Sequence, residues 1–316
     1  MAEAFTRRTM MAAMMAAPLA ARAQGLAGRY VLKPEMVAPG VWVVRGADEA
    51  IAFGNGGAIA NCTILAAQGG AILCDCGPSL AYGQALAGLA QKLTGGPVLR
   101  VLITHLHPDH AMGAAAFDPA IIAALPETRR ELERDGQGFS DGMYRLLADW
   151  MRGTNVVLPG SDLAPGPLTI GGRALEAIAL SGHSGGDLAL LDKTSGTLIT
   201  GDLVFHDRAP ATPDADLTVW RRSLDILDAM AFQRLIPGHG PVDSTHGAIA
   251  QTRDWLNWLD GALKDAVARG LDMGEAGEMA IPARFASLKL ARYELQRSVS
   301  HFYARLEAQE LPRIDN

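Results

Sequence analysis

The chain has 316 residues, 49% of them hydrophobic and 20% charged, which is typical of a folded globular protein and excludes a disordered, collagenous or polytopic membrane chain. Its formal net charge is -6 and its aromatic content only 6%, which argues against the basic stripe or stacking platform of a nucleic-acid binder. We therefore expect no nucleic-acid partner; a small-molecule substrate is expected from the metal-ligating motifs and not from the composition. The sequence leaves the oligomeric state open.

The first 23 residues have the features of an export signal. Arg7 and Arg8 precede an apolar run over residues 9–20, and Ala-Arg-Ala at 21–23 is a small-x-small cleavage pattern. These features predict a signal peptide over 1–23, and the paired arginines indicate the twin-arginine route. The apolar run is too short to span a hydrocarbon core of about 30 Å as a helix. We expect a periplasmic or secreted protein without stable membrane insertion; an ordinary amphipathic N-terminus is the alternative.

Short apolar segments and one helical segment follow this signal. The pattern predicts strands at 41–44, 58–65, 71–74 and 98–104, and a helix at 79–92. The segment at 98–104 is mostly apolar and β-branched and leads directly into a histidine. Such a run is typical of a strand that is buried on both faces.

The rest of the chain continues to alternate strands and helices. Helices are predicted at 126–151, at 218–230 and from 246 onward, with breaks near 270–274 and at Pro282. The further predicted strands are 156–158, 168–170, 173–180, 187–191, 197–200 and 234–236. This order indicates a layered α/β fold with helices outside the sheets, in which residues that follow strands can meet at one edge.

Three cysteines, Cys62, Cys74 and Cys76, lie in or beside the early predicted strands. Cys74 and Cys76 are two residues apart, so we expect them to share one face of their strand. A disulfide from Cys62 to either of them is compatible with an oxidising compartment, and three buried thiols are the alternative. The spacing contains no CxxC pair and does not favour a cysteine metal site.

The segment THLHPDH at 104–110 contains four side chains that ligate metals, His105, His107, Asp109 and His110. In an extended stretch His105 and His107 point the same way, and a turn after the proline lets Asp109 and His110 face a second position nearby. Neutral imidazole and carboxylate are suitable ligands for zinc. Packing alone gives a loop no reason to concentrate these residues, so the segment predicts a metal site.

Three more candidate ligands lie far from this segment in the chain. His183 lies in LSGHSGGD at 180–187, Asp202 in ITGDLV at 199–204, and His239 in IPGHGP at 236–241. The glycines beside His183 allow the backbone to bring an imidazole into a crowded site. Each segment alone is a weak signal. Their order and their positions after predicted strands extend the predicted metal site.

The motifs HLHPDH, SGHSGGD, GDLVF and PGHGP resemble those of the metallo-β-lactamase superfamily over about residues 40–245. The resemblance implies an α/β fold, a four-layer αβ/βα sandwich at 24–245, with 246–316 as a C-terminal helical extension packed on it. It implies two zinc ions, with iron as the alternative metal. The implied ligands are His105, His107 and His183 for one metal, Asp109, His110 and His239 for the other, and Asp202 as the bridge.

This ligand set implies hydrolysis by a metal-bridged hydroxide. Two cations lower the pKa of a bridging water and polarise a carbonyl, which implies attack on an ester, lactone, thioester or amide. Asp109 is the candidate catalytic residue, because it can orient the hydroxide or move a proton to the leaving group. Asp75 matches the family's strand-end aspartate and is assigned to orienting a histidine or the metal loop. An ordinary turn aspartate is the alternative for Asp75.

The motifs also favour one branch of the superfamily. Its antibiotic-cleaving members have a cysteine or serine where this chain has Asp202, whereas thioesterases of the glyoxalase II type have the aspartate. The stretch GDLVFHDRAP at 201–210, with Trp220 and PGHGP, most resembles the exported quinoprotein relay system metallohydrolases, which are similar to the Sox-cluster metallohydrolase. Within this stretch, His206 is either a substrate contact or an ordinary loop histidine.

The C-terminal tail carries basic and tyrosine side chains that either imitate the glyoxalase II substrate site or, as we expect, form the polar face of a covering helix. These residues are Arg284, Lys289, Arg292, Tyr293, Arg297 and Tyr303.

The leading hypothesis is a periplasmic dinuclear zinc hydrolase in a quinoprotein-linked pathway. The alternatives are a β-lactamase-like amidohydrolase, an iron-dependent sulfur dioxygenase and a non-enzymatic metal-binding accessory protein.

Overall fold

The computed structural model of the protein describes residues 29–310, and the export signal predicted at 1–23 lies outside them. A first sheet has seven strands that follow one another across the sheet in chain order. They are β1 (Pro34–Ala38), β2 (Val41–Val44), β3 (Cys62–Ala67), β4 (Gly70–Cys74), β5 (Val98–Leu102), β6 (Ile122–Ala124) and β7 (Ser161–Asp162). Strands β1 to β4 pair antiparallel, and β4 to β7 pair parallel.

A second sheet has five strands in the order β12-β11-β10-β9-β8. They are β8 (Gly166–Ile170), β9 (Arg173–Leu180), β10 (Asp187–Asp192), β11 (Thr197–Ile199) and β12 (Arg234–Ile236). Only β11 and β12 pair parallel in this sheet; a long connection with a helix separates them. Parallel neighbours need such a crossover, so their carboxyl ends lie at the same edge.

Seven α-helices cover the two sheets within residues 29–310. They are α1 (Leu80–Thr94), α2 (Pro108–Ala111), α3 (Pro126–Leu147), α4 (Leu217–Asp228), α5 (Gly247–Ala268), α6 (Met273–Gly277) and α7 (Ala291–Glu310). Three of them begin at polar caps: Ser79 accepts a hydrogen bond from the third residue of α1, Asp216 accepts two from the first turn of α4, and Asp272 accepts one from the third residue of α6. None of the helices described here combines the length and apolar character needed to cross a bilayer.

Most predicted elements are present, and one predicted strand is wrong. Residues 156–158 form no strand; Val156 packs instead against Gly136 of α3, where an added Cβ would lie 2.9 Å from the valine side chain. The sequence did not predict β1, β6 and β7, which are strands through their pairing with β2, β5 and β6, a contact that the local pattern of residues does not show.

Three apolar clusters define the four layers of the fold. Between the sheets lie side chains such as Leu65, Leu102 and Leu190. The outer face of the first sheet packs on α1 through residues such as Leu86. The outer face of the second sheet packs on α4, α5 and α7 through residues that include Trp255. The order helix, sheet, sheet, helix confirms the predicted αβ/βα sandwich.

The cysteines are three free, buried thiols, which is the alternative to a disulfide. Cys74 packs between the sheets, whereas Cys62 and Cys76 pack on the helix side of the first sheet. The expected shared face of Cys74 and Cys76 is wrong, because β4 ends at Cys74 and Asp75 adopts a φ of 62° that stops the alternation. Burial raises the pKa of all three thiols, so they stay protonated and unreactive.

A buried arginine connects the two sheets. Arg173 of β9 donates to both carboxylate oxygens of Asp192, at 3.0 and 2.5 Å. The same guanidinium donates to the carbonyl oxygens of Gly40 and Ala66 in the first half of the fold, at 3.2 and 2.7 Å. A guanidinium can lie at this depth only because its donors are satisfied and its charge is paired.

Candidate metal centre

The seven predicted ligands lie together at one edge of the sandwich, although they come from four loops. The chain leaves β5 at Leu102 and forms the segment of the first four ligands. His183 lies in the loop between β9 and β10, Asp202 in a 3-10 turn after β11, and His239 just after β12. All seven side chains are buried. These loops meet because the carboxyl ends of β5, β11 and β12 point to the same edge.

A first group of donors consists of His105, His107, His183 and Asp202. His107 Nδ1 lies 3.0 Å from His105 Nε2 and 2.9 Å from His183 Nε2. Asp202 Oδ2 lies 3.4 Å from His183 Nε2 and 3.9 Å from His105 Nε2. Three ring nitrogens and one carboxylate oxygen therefore face a common point.

A second group consists of Asp109, His110 and His239. Asp109 Oδ2 lies 3.7 Å from His110 Nε2 and 3.4 Å from His239 Nε2, and the two histidine Nε2 atoms are 3.5 Å apart. Asp202 also reaches this group: its Oδ1 lies 3.1 Å from His110 Nε2 and its Oδ2 lies 3.2 Å from His239 Nε2. The carboxylate of Asp202 thus adjoins both groups.

The spacing of these atoms fits metal ions. Tetrahedral ligands at about 2.0–2.2 Å from zinc are separated from one another by roughly 3.3–3.6 Å. The distances within the two groups, from 2.9 Å to 3.9 Å, lie around that range. Nitrogen lone pairs that converge without enough protons to share repel one another unless a cation lies between them. The donor set therefore suits two adjacent metal ions.

Asp75 holds two of the histidines through a short network. Its Oδ2 lies 2.7 Å from His110 Nδ1 and accepts a hydrogen bond from the Thr104 hydroxyl at 2.8 Å. Its Oδ1 accepts one from the Thr104 backbone N–H, also at 2.8 Å. The Thr104 oxygen in turn lies 2.9 Å from His105 Nδ1. With Nδ1–H donating in both rings, Nε2 of His105 and of His110 keeps the lone pair that a metal requires.

Asp214 and Arg208 also contact the cluster, and the sequence reasoning missed both. Asp214 Oδ2 lies 2.9 Å from His107 Nε2, so the other nitrogen of that ring is left to face the first group. Arg208 contacts His239 Nδ1, which also lies 2.8 Å from the carbonyl oxygen of Ile59. Asp214 lies in no motif that would have indicated it. Arg208 lies in the quoted GDLVFHDRAP stretch, where the histidine drew attention instead.

Burial and charge set the protonation of the histidines. Burial lowers the pKa of His105 and His183 well below its usual value, which keeps both imidazoles neutral. Burial also acts to lower the pKa of His110, but the carboxylates of Asp202, Asp75 and Asp109 outweigh it and raise that pKa. His110 thus carries the proton that balances these carboxylates, and a bound cation would take over that role.

A cavity of about 420 Å³ opens over the cluster. His107, Asp109, Asp202 and His239 border it, so both donor groups are accessible from it. Apolar side chains from several elements form much of the rest of its wall. The His206 side chain does not border the cavity; its Nδ1 lies 2.9 Å from the carbonyl oxygen of Pro241. Its backbone N–H donates to the carbonyl oxygen of His239 at 3.0 Å, so His206 supports the loop of that ligand without facing a substrate.

The C-terminal tail is more than a covering helix. Tyr293 and Arg297 of α7 border the cavity, whereas we expected the basic and tyrosine side chains of the tail to form only the polar face of a covering helix. The other tail residues act elsewhere: the Arg284 guanidinium pairs with Asp254, the Arg292 guanidinium donates to a carbonyl oxygen, and Tyr303 donates to the carbonyl of Leu271. Lys289 contributes its backbone, which pairs with the chain at Arg208. The helical pattern of α7 could not show which of its turns would meet the cavity.

The family model of the metallo-beta-lactamase superfamily matches residues 55–239, which include all seven ligands. The protein therefore belongs to the metallo-beta-lactamase superfamily, as its motifs predicted.

Two curated relatives match part of the chain. Metallo-beta-lactamase domain-containing protein 1 of Xenopus laevis is 28% identical over 173 residues, which are 51% of this chain and 63% of that protein. Acyl-coenzyme A thioesterase MBLAC2 of Homo sapiens is 26% identical over 160 residues, which are 45% of this chain and 56% of that protein. The chain thus spans less than two thirds of the length of either relative.

Solved structures share the fold. A metallo-beta-lactamase from Pontibacter korlensis has a TM-score of 0.59 and 19% identity, and covers 72% of this chain and 99% of its own. The metallo-beta-lactamase FIM-1 from Pseudomonas aeruginosa, in its mono-zinc form, has a TM-score of 0.58 and 16% identity, and covers 72% of this chain and 96% of its own. At these identities the likeness concerns the fold.

Proposed function

We propose that the protein is a dinuclear zinc hydrolase that cleaves an ester, lactone, thioester or amide. The observation that carries this proposal is the meeting of seven buried donors in two adjacent groups, both reached from one cavity. One metal would be held by His105, His107 and His183, and the other by Asp109, His110 and His239. Asp202 would serve both, because its oxygens lie within 3.4 Å of donors in each group.

The chemistry divides between the metals and the protein. When bound, two metal ions supply Lewis acidity toward a carbonyl oxygen and lower the pKa of water. Asp109 borders the cavity, and its carboxylate can accept a proton from the attacking water and pass it to the leaving group. Asp75 and Thr104 keep the two rings they contact in the ligating tautomer. The reaction adds water across the carbonyl–heteroatom bond and releases a carboxylic acid with an alcohol, thiol or amine.

Among these substrates an acyl ester or thioester is favoured. The human relative at 26% identity is named an acyl-coenzyme A thioesterase. An aspartate at position 202 is the residue that thioesterase-like members of the family carry there. The apolar wall of the cavity suits an acyl group. We further propose that residues 1–23 export the protein and that it belongs to the quinoprotein-linked branch of the family.

Metal analysis with a substrate panel tests this function. Elemental analysis of the purified full-length protein is expected to give about two zinc ions per chain, and chelation is expected to abolish hydrolysis that zinc restores. The panel contains phenyl esters, lactones, acyl thioesters and a chromogenic β-lactam. Asp109→Ala and Asp202→Ala are expected to lose hydrolysis. Asp265→Ala, which changes an exposed carboxylate on α5, is the matched control.

Each competing function has its own outcome. Turnover of the β-lactam alone would indicate the amidohydrolase. Mainly iron, with oxygen consumption on a persulfide and no hydrolysis, would indicate the sulfur dioxygenase. Bound metal with no turnover of any substrate would indicate the accessory protein. Cell fractionation tests the proposed export. The wild-type protein is expected in the periplasm, and the double variant Arg7→Lys, Arg8→Lys is expected in the cytoplasm. Equal export of the wild-type protein and the double variant would refute the twin-arginine assignment.

A further inference from the structure

One face of α3 lines the cavity and is unusually bare. We define this α3 face as Gly138, Gly142 and Leu146, which recur every four residues and therefore lie on one side of the helix. Leu146 is 57% exposed, although it is a large apolar side chain. Phe139 and Met143 border the same cavity, and the Phe139 ring packs edge-on against the His107 ring at 5.7 Å between centroids.

The two glycines of the α3 face have no packing reason to be glycine. A Cβ added at Gly138 or Gly142 would meet no atom within 4 Å. By contrast, a Cβ at Gly136 on the same helix would lie 2.9 Å from Val156. Glycine inside a helix is less stable than alanine by about 1 kcal/mol, so helical glycines that touch nothing lower stability without improving packing. Here they widen the cavity beside an exposed leucine.

One face of α7 borders the same cavity with polar groups. This α7 face consists of Tyr293, Arg297 and His301, again spaced every four residues. Arg297 Nη1 donates to both oxygens of Glu294, at 3.0 and 3.2 Å. Glu294 is completely buried and lies 3.8 Å from Arg208 Nη2.

Two guanidiniums beside the α7 face share one buried carboxylate. Arg208 is 3% exposed, and within residues 29–310 its Nε has no hydrogen-bond partner. It shares the single carboxylate of Glu294 with Arg297. The other carboxylates that border the cavity, Asp109 and Asp202, belong to the two donor groups, where bound cations would neutralise them. The nearby carboxylate of Asp214 is bonded to His107. A buried guanidinium with a free donor is a binding site for anionic oxygens.

We infer that the substrate is an amphipathic acyl compound, with an aliphatic chain against the α3 face and a separate anionic group at Arg208 and Arg297. This inference rests on the proposed hydrolase function of the same cavity. The anionic oxygens belong to a carboxylate or to a phosphate. The space above Gly138 and Gly142 sets the length of the acyl chain that the enzyme accepts. The two arginines set its preference for a negatively charged substrate.

Esters of two acyl lengths and two leaving groups test both ends of the substrate. The probes are acetyl and octanoyl esters of 4-hydroxybenzoate and of the neutral 4-hydroxybenzamide, with octanoyl-coenzyme A as the phosphate arm. The wild-type enzyme is expected to prefer octanoyl over acetyl by about tenfold in kcat/KM, because the α3 face is one open wall and only about two of the additional CH₂ groups are expected to leave water fully. It is expected to prefer the charged over the neutral leaving group by about tenfold.

Two variants with one control separate the ends. Gly142→Leu fills the α3 face and is expected to bring the octanoyl-to-acetyl ratio to about one. Gly261→Leu makes the same change on α5, where an added Cβ also meets nothing and the cavity is distant, and is expected to leave that ratio unchanged. Arg297→Gln is expected to bring the charged-to-neutral ratio to about one.

Binding without turnover distinguishes this inference from the proposed function. Calorimetry on the metal-loaded protein uses 4-(octyloxy)benzoate, which cannot be hydrolysed, and its neutral benzamide. We expect the benzoate to bind about tenfold tighter than the benzamide, and Gly142→Leu or Arg297→Gln to weaken its binding by about tenfold. If the benzoate bound tightly, and the two variants weakened its binding, but no ester were hydrolysed, only the proposed function would be refuted. Hydrolysis with equal ratios in all variants, and equal binding of the two ligands, would overturn the inference alone.

Discussion

The substitution Asp75→Asn should disturb both donor groups through the protons of two histidines. In the protein, Asp75 Oδ2 accepts from the Thr104 hydroxyl and pairs with His110 Nδ1, while the Thr104 oxygen lies beside His105 Nδ1. An asparagine in the same place has one N–H₂ group where the carboxylate had an acceptor oxygen. That group donates to His110 Nδ1 and moves the ring proton to Nε2, the atom that faces the second donor group.

The magnitude follows from the bonds that change. Loss of such a partner behind a ligating histidine lowers metal affinity by about 10- to 100-fold, which corresponds to roughly 1.4–2.7 kcal/mol. The fold should tolerate the change, because asparagine accepts the φ of 62° at this position and still accepts from the Thr104 backbone N–H. Thr104→Val is the matched variant: it breaks only the path to His105 and keeps the contact between Asp75 and His110.

Graded chelation measures the effect. The protein is dialysed against rising concentrations of a chelator, and the zinc retained per chain is determined by elemental analysis, with circular dichroism as the check on folding. Asp75→Asn should lose metal from both groups at lower chelator, whereas Thr104→Val should loosen one ion and leave the other at wild-type affinity. If folded Asp75→Asn retained two ions at wild-type affinity, the assignment of tautomers to this network would be wrong.

Three further predictions concern other contacts of the cluster and the core. Asp214→Ala removes the carboxylate behind His107 and should weaken one metal by about tenfold in the same chelator assay; unchanged affinity would refute its positioning role. Asp192→Ala leaves Arg173 buried without its carboxylate and should lower the free energy of unfolding, measured by urea titration, by about 3–5 kcal/mol. A loss below about 1 kcal/mol would contradict the importance of this buried ion pair. Burial raises the pKa of Asp187 to about 7, so between about pH 4 and pH 7 the folded chain binds a proton that the unfolded chain releases. The free energy of unfolding of the metal-free protein should therefore decrease as the pH rises through that window, by about 1.4 kcal/mol per pH unit from this group. Asp187→Asn should flatten this dependence on pH. Urea titrations at several pH values would check both expectations.

The metal cluster was predictable because its signal is local and chemical. Four ligating side chains in THLHPDH have no other explanation, and the strand at 98–104 showed that they leave a buried sheet. The distant ligands His183, Asp202 and His239 could be added because each follows a predicted strand, and because their order along the chain resembles that of the superfamily. The alternation of strands and helices predicted a layered α/β fold, and the resemblance of the motifs to the superfamily implied the four-layer αβ/βα arrangement.

What the sequence could not show depends on contacts between distant segments. The face shared by Cys74 and Cys76 was predicted from period-two alternation, and a single positive φ at Asp75 overturned it. Asp214 gains its role only because its loop passes His107, 107 positions away in the chain. Arg297 reaches the cavity because α7 packs against α5 and α6, and its amphipathic pattern alone does not show which residues meet another element.

The location of the cluster between the two halves has a consequence for folding. His105 to His110 belong to the loop of the first sheet, while His183, Asp202 and His239 follow strands of the second, and each donor group draws on both. A cation here ties the halves together much as a disulfide would, but reversibly and without covalent chemistry. A nascent chain that has not yet docked its halves cannot offer either complete group. Uptake of metal would then be the closing event of maturation, and its removal would hasten the parting of the halves and their digestion by proteases.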